Sequence, residues 1–517
     1  MPTQSRTYNS LRNSAAATVI FLINFCLQFI SRKIFLNYLG TEILGLNTTA
    51  TNLLQFLNLA ELGISSAVGF TLYKPIHDDD CRTINEIVTL QRHLYRRVAM
   101  LVIGGATVLM AFFPVIFAKM QLPLWYAYGS FGVLLFSALL GYFVNYKQIV
   151  LTAAQLDYKV QLFYKSVLMT KLLAQILAVR FLANGYVWWL ALEVLFAVLA
   201  SWSLHRATMK ACPYLEVVDK SFKQLCECYS VFTTKIKQMF FHRVGGFALQ
   251  QCSPIVIYAY SSLTVVALYG NYYMVIIGIL SLMNATFNSM GASIGNLVAE
   301  GDKKRIDNVF WELFSARFWI VTTLCFCAYS LIPAFIRLWI GEQYLLSTST
   351  LSLLIAILYI QLFRTNVGSF LDAYALTRDI WSPIIEATIN IGGSILLGYY
   401  WGLNGILIAV VASLLIMVEG WKPIFLFREG LRLPFSLYIR QYATHLPVGI
   451  LCFGISLFII DRLPLMHSAA DSWMNFLLAG IVHLLLFASI SMAFMTMLFK
   501  SYRRFLRRLK RILTDVI

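Results

Sequence analysis

The chain has 517 residues, of which 59% are hydrophobic, 15% aromatic and only 13% charged. A soluble domain carries roughly twice that charged fraction, so a soluble enzyme or scaffold is excluded and most of the surface is expected to face lipid. The net charge of +17 invites a nucleic-acid reading, but the placement of that charge argues against it.

From the N-terminus, MPTQSRTYNSLRNS is polar and lacks a small-residue cleavage site, so no removable signal peptide is expected. Apolar runs of about 20 residues then recur along the chain, as in a multi-span α-helical membrane protein. Alternation at period two, the mark of an outer-membrane barrel, is absent. Fourteen spans are expected, at 14–37, 42–72, 97–118, 124–153, 162–182, 185–205, 236–262, 266–298, 309–336, 347–373, 382–400, 402–426, 439–460 and 472–498. The second and eighth exceed a bilayer's thickness and are expected to tilt or protrude. Nine cysteines are scattered without a zinc or redox spacing, which fits reduced, inert thiols.

With both termini placed in the cytoplasm, 31 of the 41 basic residues fall on the inner side, 4 on the outer side and 6 within spans. That asymmetry follows the positive-inside rule and directs the excess charge toward anionic inner-leaflet lipid, not nucleic acid. The tail SYRRFLRRLKRILTDVI sets basic pairs at helical spacing between Phe505, Leu506 and Leu509, as an interfacial amphipathic helix does.

Two echoes point to an internal repeat. SSAVGFTLYKPIHDDDCRTI (65–84) resembles MGASIGNLVAEGDKKRI (290–306), and LTAAQLDYKVQ (151–161) resembles LDAYALTRDIW (371–381), at offsets near 220. Six spans fit in that interval, so two parallel six-helix lobes are expected around a central cavity, with two further C-terminal helices. The expected domains are an N-lobe at 1–206, a cytoplasmic linker at 207–235, a C-lobe at 236–426, spans 13 and 14 at 427–498 and a basic tail at 499–517.

Polar residues recur at helical spacing inside these spans. Asn47, Thr51, Gln55, Asn58 and Glu61 form one stripe, and Asn24, Gln28 and Arg32 another. In the second lobe the stripes run Arg243, Gly246, Gln250, Ser253; Asn284, Asn288, Gly291, Gly295; Gln361, Arg364 or Thr365, Gly368, Asp372; and Glu386, Asn390, Ser394. Such groups are costly in hydrocarbon, and a shared water-filled cavity gives them a destination. Each has a plainer alternative. Asn and Gln also join helices, Arg32 and Lys33 can snorkel, and Glu61 and Glu386 can be structural ion-pair members. Lys171 lacks an obvious local partner, while Arg317 and Glu193 suit structural roles. The glycines permit close packing or act as hinges.

At FISRKIFLNYLGTEILGLNTTATNLLQFLNLAELGISSAVGFTLYKPIHDDDCRTI the chain resembles the polysaccharide-transporter family, the Wzx-type flippases for O-antigen and capsule repeat units. This family sits in the multidrug/oligosaccharidyl-lipid/polysaccharide exporter superfamily. The residues that carry the likeness are Arg32, Leu39–Gly40, Gly45–Leu46, Leu59–Ala60–Glu61–Leu62–Gly63 and Leu72–Tyr73–Lys74–Pro75. The resemblance implies a bacterial inner-membrane protein that flips an undecaprenyl-diphosphate-linked oligosaccharide to the outer leaflet by alternating access. It implies no cofactor, coupling to H+ or Na+, and polysaccharide assembly proteins as partners. Arg32, Lys171, Arg243 and Arg364 are then the expected diphosphate ligands, Asn47, Gln55 and Asn58 the sugar ligands, and Glu61 the ion-coupling carboxylate. A drug or metabolite antiporter and a lipid II flippase are the alternatives within the superfamily. Glycosyl transfer is disfavoured: no nucleotide-binding glycine loop, metal spacing or nucleophile constellation is present, and Asp78–Asp80 reads as a solvated turn.

Overall fold

The computed structural model describes residues 6–61, 64–229, 253–288, 290–374, 376, 378–379, 381–463 and 469–516. These residues are helical with no strand among them, and eleven helices are long and apolar enough to cross a membrane. The protein is a multi-pass membrane protein. The apolar runs become helices for the reason anticipated: in lipid a backbone must satisfy its own hydrogen bonds.

The chain folds as two compact units, Met1–Ala267 and Leu268–Ile517. In the first unit run α1 (Arg6–Leu57), α2 (Ile64–His77), α3 (Cys81–Ala111), α4 (Trp125–Phe143), α5 (Ser166–Phe181) and α6 (Gly185–Ala211). The helix α7 (Leu263–Asn288) starts at the end of this unit. The second unit continues with α8 (Gly291–Glu300), α9 (Lys303–Trp339), α10 (Thr348–Phe363), α11 (Thr365–Ala373), α12 (Ser382–Leu414), α13 (Phe435–Ile460), α14 (Trp473–Leu498) and α15 (Lys500–Val516).

Two glycines bend helices that otherwise run unbroken. Gly40 in α1 has φ 85° and Gly402 in α12 has φ 54°, conformations that favour a residue without Cβ. Both turns reverse the chain. A Cβ on Gly405 would lie 1.9 Å from the carbonyl oxygen of Leu397, so residues on either side of Gly402 approach backbone to backbone. In α1, Arg32 and Gly45 are thirteen residues apart, about 20 Å along a straight helix. Yet Arg32 reaches the carbonyl of Ala267, and a Gly45 Cβ would lie 2.0 Å from that of Leu263, one helical turn away. Each of these helices therefore holds two of the expected spans, the first with the second and the eleventh with the twelfth.

The second and eighth spans are each interrupted and are not single long helices. The second breaks after Leu57 into a tight turn, Asn58–Glu61, before α2, and the eighth breaks between Asn288 and Gly291. Polar and glycine residues at both points weaken the helix there. Most of the expected seventh span and the end of the linker, 230–252, lie outside the described residues.

The repeat is visible in backbone geometry. Asp79 and Gly301 both have positive φ, and the next residues, Asp80 and Asp302, each cap the following helix through a side-chain oxygen. The positions correspond at an offset of 222. The second echo is as close: the N–H of Leu156 donates to the Leu151 carbonyl at 2.7 Å, and that of Leu376 to Leu371 at 2.9 Å. Here the offset is 220, and α4 and α10 end at the same offset, on Phe143 and Phe363.

The described part of the linker is fastened to α3. Asn85 donates to the Tyr214 carbonyl at 2.8 Å, and Glu86 receives Lys220 at 2.7 Å and Tyr229 at 3.1 Å. In the second unit, Phe326 of α9 stacks on Phe487 of α14 at 4.5 Å, with Cys452 of α13 in the same core.

Gly45→Ala and Gly405→Ala each place a methyl group against backbone that cannot move independently. Each is expected to cost at least about 1–3 kcal/mol and lower the melting temperature of detergent-solubilised protein. Gly132→Ala, with nothing within 4 Å of its Cβ, is the matched control and should leave melting unchanged.

Candidate functional site

The break after α1 sets up the first polar cluster. Asn58 accepts from the Tyr142 hydroxyl at 2.9 Å. Glu61 accepts from the Tyr95 hydroxyl at 2.8 Å and from Ser65 at 3.1 Å, while Ser65 and Tyr95 share a further bond of 2.7 Å. The rings of Tyr95 and Tyr142 meet edge to face at 5.5 Å, which ties the two halves of the cluster together. Four elements contribute: the Asn58–Glu61 turn, α2, α3 and α4. Among the described residues Glu61 has no ion pair, and the groups that hold its carboxylate there are hydroxyls. Hydroxyls serve either protonation state, because they can donate to a carboxylate and accept from an acid.

One face of α1 carries the second cluster. Asn47 is buried, and its side-chain oxygen accepts a short hydrogen bond from Ser130 of α4. Ser130 in turn bonds the hydroxyl of Tyr186 at the start of α6. The Asn47 Nδ2 has no hydrogen-bond partner among the described residues. Gln55, on the same stripe, is half-buried and makes no hydrogen bond among the described residues. Arg32 donates to the Ala267 carbonyl at 3.3 Å, which anchors the first half of α1 beside the start of α7.

Lys171 has a partner, contrary to the sequence reading. Its ammonium donates to Glu193 of α6 at 2.6 Å, and the other carboxylate oxygen receives Gln175 at 3.0 Å. Gln175 also donates to the Trp189 carbonyl at 3.1 Å. The pair is largely shielded, with 15% and 8% of the two side chains exposed. Helices α5 and α6 form a hairpin turning near residue 183, so 171 and 193 lie at similar depths on its two arms. That symmetry was available from the span boundaries.

In the second unit, Arg364 sits at the junction of α10 and α11, inside the span-length segment Thr348–Ala373. It is exposed and donates to the neutral Gln361 amide at 3.1 Å, without an ion pair among the described residues. Glu386, Asn390 and Ser394 share one buried face of α12. Arg317, almost wholly buried, bonds Ser369 at 3.3 Å and lies 5.0 Å over the Phe287 ring. Among the described residues, no atom outside their own helix lies within 4 Å of a Cβ built at Gly291 or Gly295. Arg243 lies outside the described residues, as do Gly63, Gly246 and Gln250.

Sequence reasoning missed the tyrosines. Tyr95, Tyr142 and Tyr186 supply three of the hydroxyls that organise the first two clusters. A hydropathy reading counts tyrosine among apolar residues, although its hydroxyl seeks a partner when buried.

No protein-family model matches this sequence, and no curated protein matches it. Solved structures do share its fold. Lipid II flippase MurJ, in an inward closed conformation, superposes with a TM-score of 0.65 at 12% identity, over 92% of this chain and 98% of that one. A multidrug resistance MATE family transporter of the MOP superfamily, facing inward, gives 0.58 at 14% identity over 79% and 97%. The eukaryotic MATE transporter AtDTX14 gives 0.51 at 11% identity over 84% and 98%. The chain thus has the fold of these MOP-superfamily transporters.

Proposed function

We propose that this protein is an ion-coupled flippase that carries an undecaprenyl-diphosphate-linked oligosaccharide repeat unit across the bacterial inner membrane by alternating access. The observation that carries the reading is Arg364, an exposed guanidinium within a membrane-length segment whose hydrogen-bond partner is a neutral amide. At the centre of a span an arginine costs about 2.5–3.5 kcal/mol on insertion scales. Such a group is supported by an anionic cargo, and a guanidinium meets a diphosphate through forked, charge-assisted hydrogen bonds. The resemblance at residues 29–84 supports the same cargo class.

The other proposed ligands have different states of readiness. Arg32 and Arg243 complete the diphosphate set. Lys171 joins it only by exchanging Glu193 for phosphate. Asn47 joins the sugar set only by uncovering its buried, unpartnered Nδ2, since its oxygen is already engaged, and Gln55 and Asn58 complete that set. Glu61 is the proposed coupling carboxylate, because hydroxyl partners tolerate both its protonated and ionised forms. Anionic inner-leaflet lipid and polysaccharide assembly proteins are proposed partners. The second reading is a lipid II flippase, the activity named for the solved structure that spans 92% of this chain.

Deleting the gene should leave lipid-linked repeat units on the inner leaflet, read by inner-versus-outer labelling, with the cells viable. Loss of viability with intact surface polysaccharide would favour lipid II instead, and altered drug resistance alone would favour a drug antiporter. On complementation, Arg364→Ala should cut export at least tenfold at normal protein levels, and Arg364→Lys should restore part of it. Wild-type export with Arg364→Ala removes the main support for the anionic cargo.

Lys171→Met leaves Glu193 buried without its cation and is expected to destabilise the protein by about 3–5 kcal/mol. Pairing it with Glu193→Gln should recover thermal stability. If Lys171 meets cargo, the double variant regains stability and protein level but not export; recovery of both makes the pair structural. Glu61→Gln should keep the protein folded and abolish the response of flipping to an imposed proton or sodium gradient. An undiminished response excludes Glu61 from coupling.

A further inference from the structure

The end of the chain forms a helix, α15, as its basic and apolar spacing anticipates, and much of its first half packs against protein. Ser501 bonds Ser315 at 2.6 Å, Arg504 donates to Asn308, and Arg508 donates to Glu312 at 3.3 Å, all on the early turns of α9. Tyr502 is fully buried and lies 6.0 Å from the Trp319 ring. This packing leaves a cleft of about 460 Å³ between α9 and α15.

The cleft is lined by six cationic side chains, including Lys304, Arg504, Arg507 and Arg508, against the carboxylates of Asp302 and Glu312. Two of the cations are uncommitted: Lys304 and Arg507 are exposed and have no hydrogen bond or ion pair among the described residues. A second cavity of about 560 Å³ adjoins the first and shares Arg305, Val309, Glu312 and Arg508 with it. Its remaining wall is largely apolar, with Ile294, Leu297, Leu313, Phe505 and Leu509.

Position completes the argument. α15 begins two residues after the apolar helix α14 ends, and the polar first turns of α9 precede its apolar length. The cleft therefore lies at the ends of membrane helices, at headgroup depth, on the side where basic residues concentrate. A charged opening beside an apolar hollow at that depth matches a phosphodiester headgroup and the upper part of its acyl chain. A soluble anion would leave the apolar hollow unexplained.

We propose that the cleft between α9 and α15 is a binding site for an anionic phospholipid, whose phosphate meets Lys304 and Arg507 and whose acyl chain enters the adjoining cavity. This is a site on the protein and does not depend on what the protein transports. Full-length protein in neutral detergent should retain fluorescent phosphatidylglycerol in preference to phosphatidylcholine. Lys304→Gln with Arg507→Gln should weaken phosphatidylglycerol binding at least tenfold without changing melting in its absence. The same helix supplies the control: Lys500→Gln with Arg503→Gln removes basic residues outside the cleft and should change binding less than twofold. Should the glutamine pair fail to fold, Lys304→Gln and Arg507→Gln singly must each weaken binding. Equal loss with both pairs, undiminished binding by the cleft variants, equal retention of phosphatidylcholine, or full displacement by millimolar inorganic phosphate would each overturn the site.

Discussion

Hydrocarbon supplies no hydrogen bonds, so a polar side chain within it must find its partner inside the protein. The first unit meets that requirement with short, local clusters. Asn47 reaches Ser130 and through it Tyr186; Asn58 reaches Tyr142; Glu61 reaches Tyr95 and Ser65; Lys171 reaches Glu193. Each cluster joins at least two helices, so the same bonds that satisfy the polar atoms also fix helix positions. The stripe along α1 is thus an organising feature of the bundle whatever else it contacts.

Close backbone approach is the complementary device. Gly40 and Gly402 turn the chain within what is otherwise continuous helix, and Gly45 and Gly405 let a neighbouring backbone approach where a methyl group would collide. The repeat then reuses two connections nearly unchanged. A positive-φ residue followed by an aspartate cap recurs at 79–80 and 301–302, and the Leu156–Leu151 bond recurs as Leu376–Leu371. Little of the surrounding sequence is shared. What recurs is the set of residues that can occupy those backbone conformations: an aspartate or glycine at positive φ, and an aspartate able to cap.

Much of this was legible in the sequence because it depends on local chemistry. Apolar runs locate spans, the acidic-basic turns locate the repeat, and helical spacing groups Asn47, Thr51 and Gln55 on one face of α1, whereas Asn58 and Glu61, expected on the same stripe, lie in the turn that follows the helix. Partner identity was not legible to the same degree, because it depends on helix rotation and depth. The stripe says nothing about Tyr142 or Tyr186, which lie 84 and 139 positions away from the asparagines they meet. Likewise, the polar and glycine residues near 58–63 and 288–291 lower helix propensity in the second and eighth spans, but propensity alone does not say whether a long span bends, breaks or stays whole. Lys171 is the instructive intermediate case, since the hairpin symmetry of its two helices pointed to Glu193.

Two cations of the same formal charge therefore carry different implications. Lys171 is shielded, and its charge is balanced at 2.6 Å by a carboxylate that Gln175 also holds. Removing it from that environment exposes a buried anion, so its strongest predictable effect is on folding. Arg364 is exposed and bonded to an amide, and the buried Glu386 carboxylate that feels its charge also feels that of Lys422, so replacing Arg364 does not strip that anion of every cation. Its substitution should affect function with less disturbance of the fold, which makes it the more informative position from which to infer cargo. Position in a span marks a charge as costly; only its partners distinguish one held for structure from one available to a ligand.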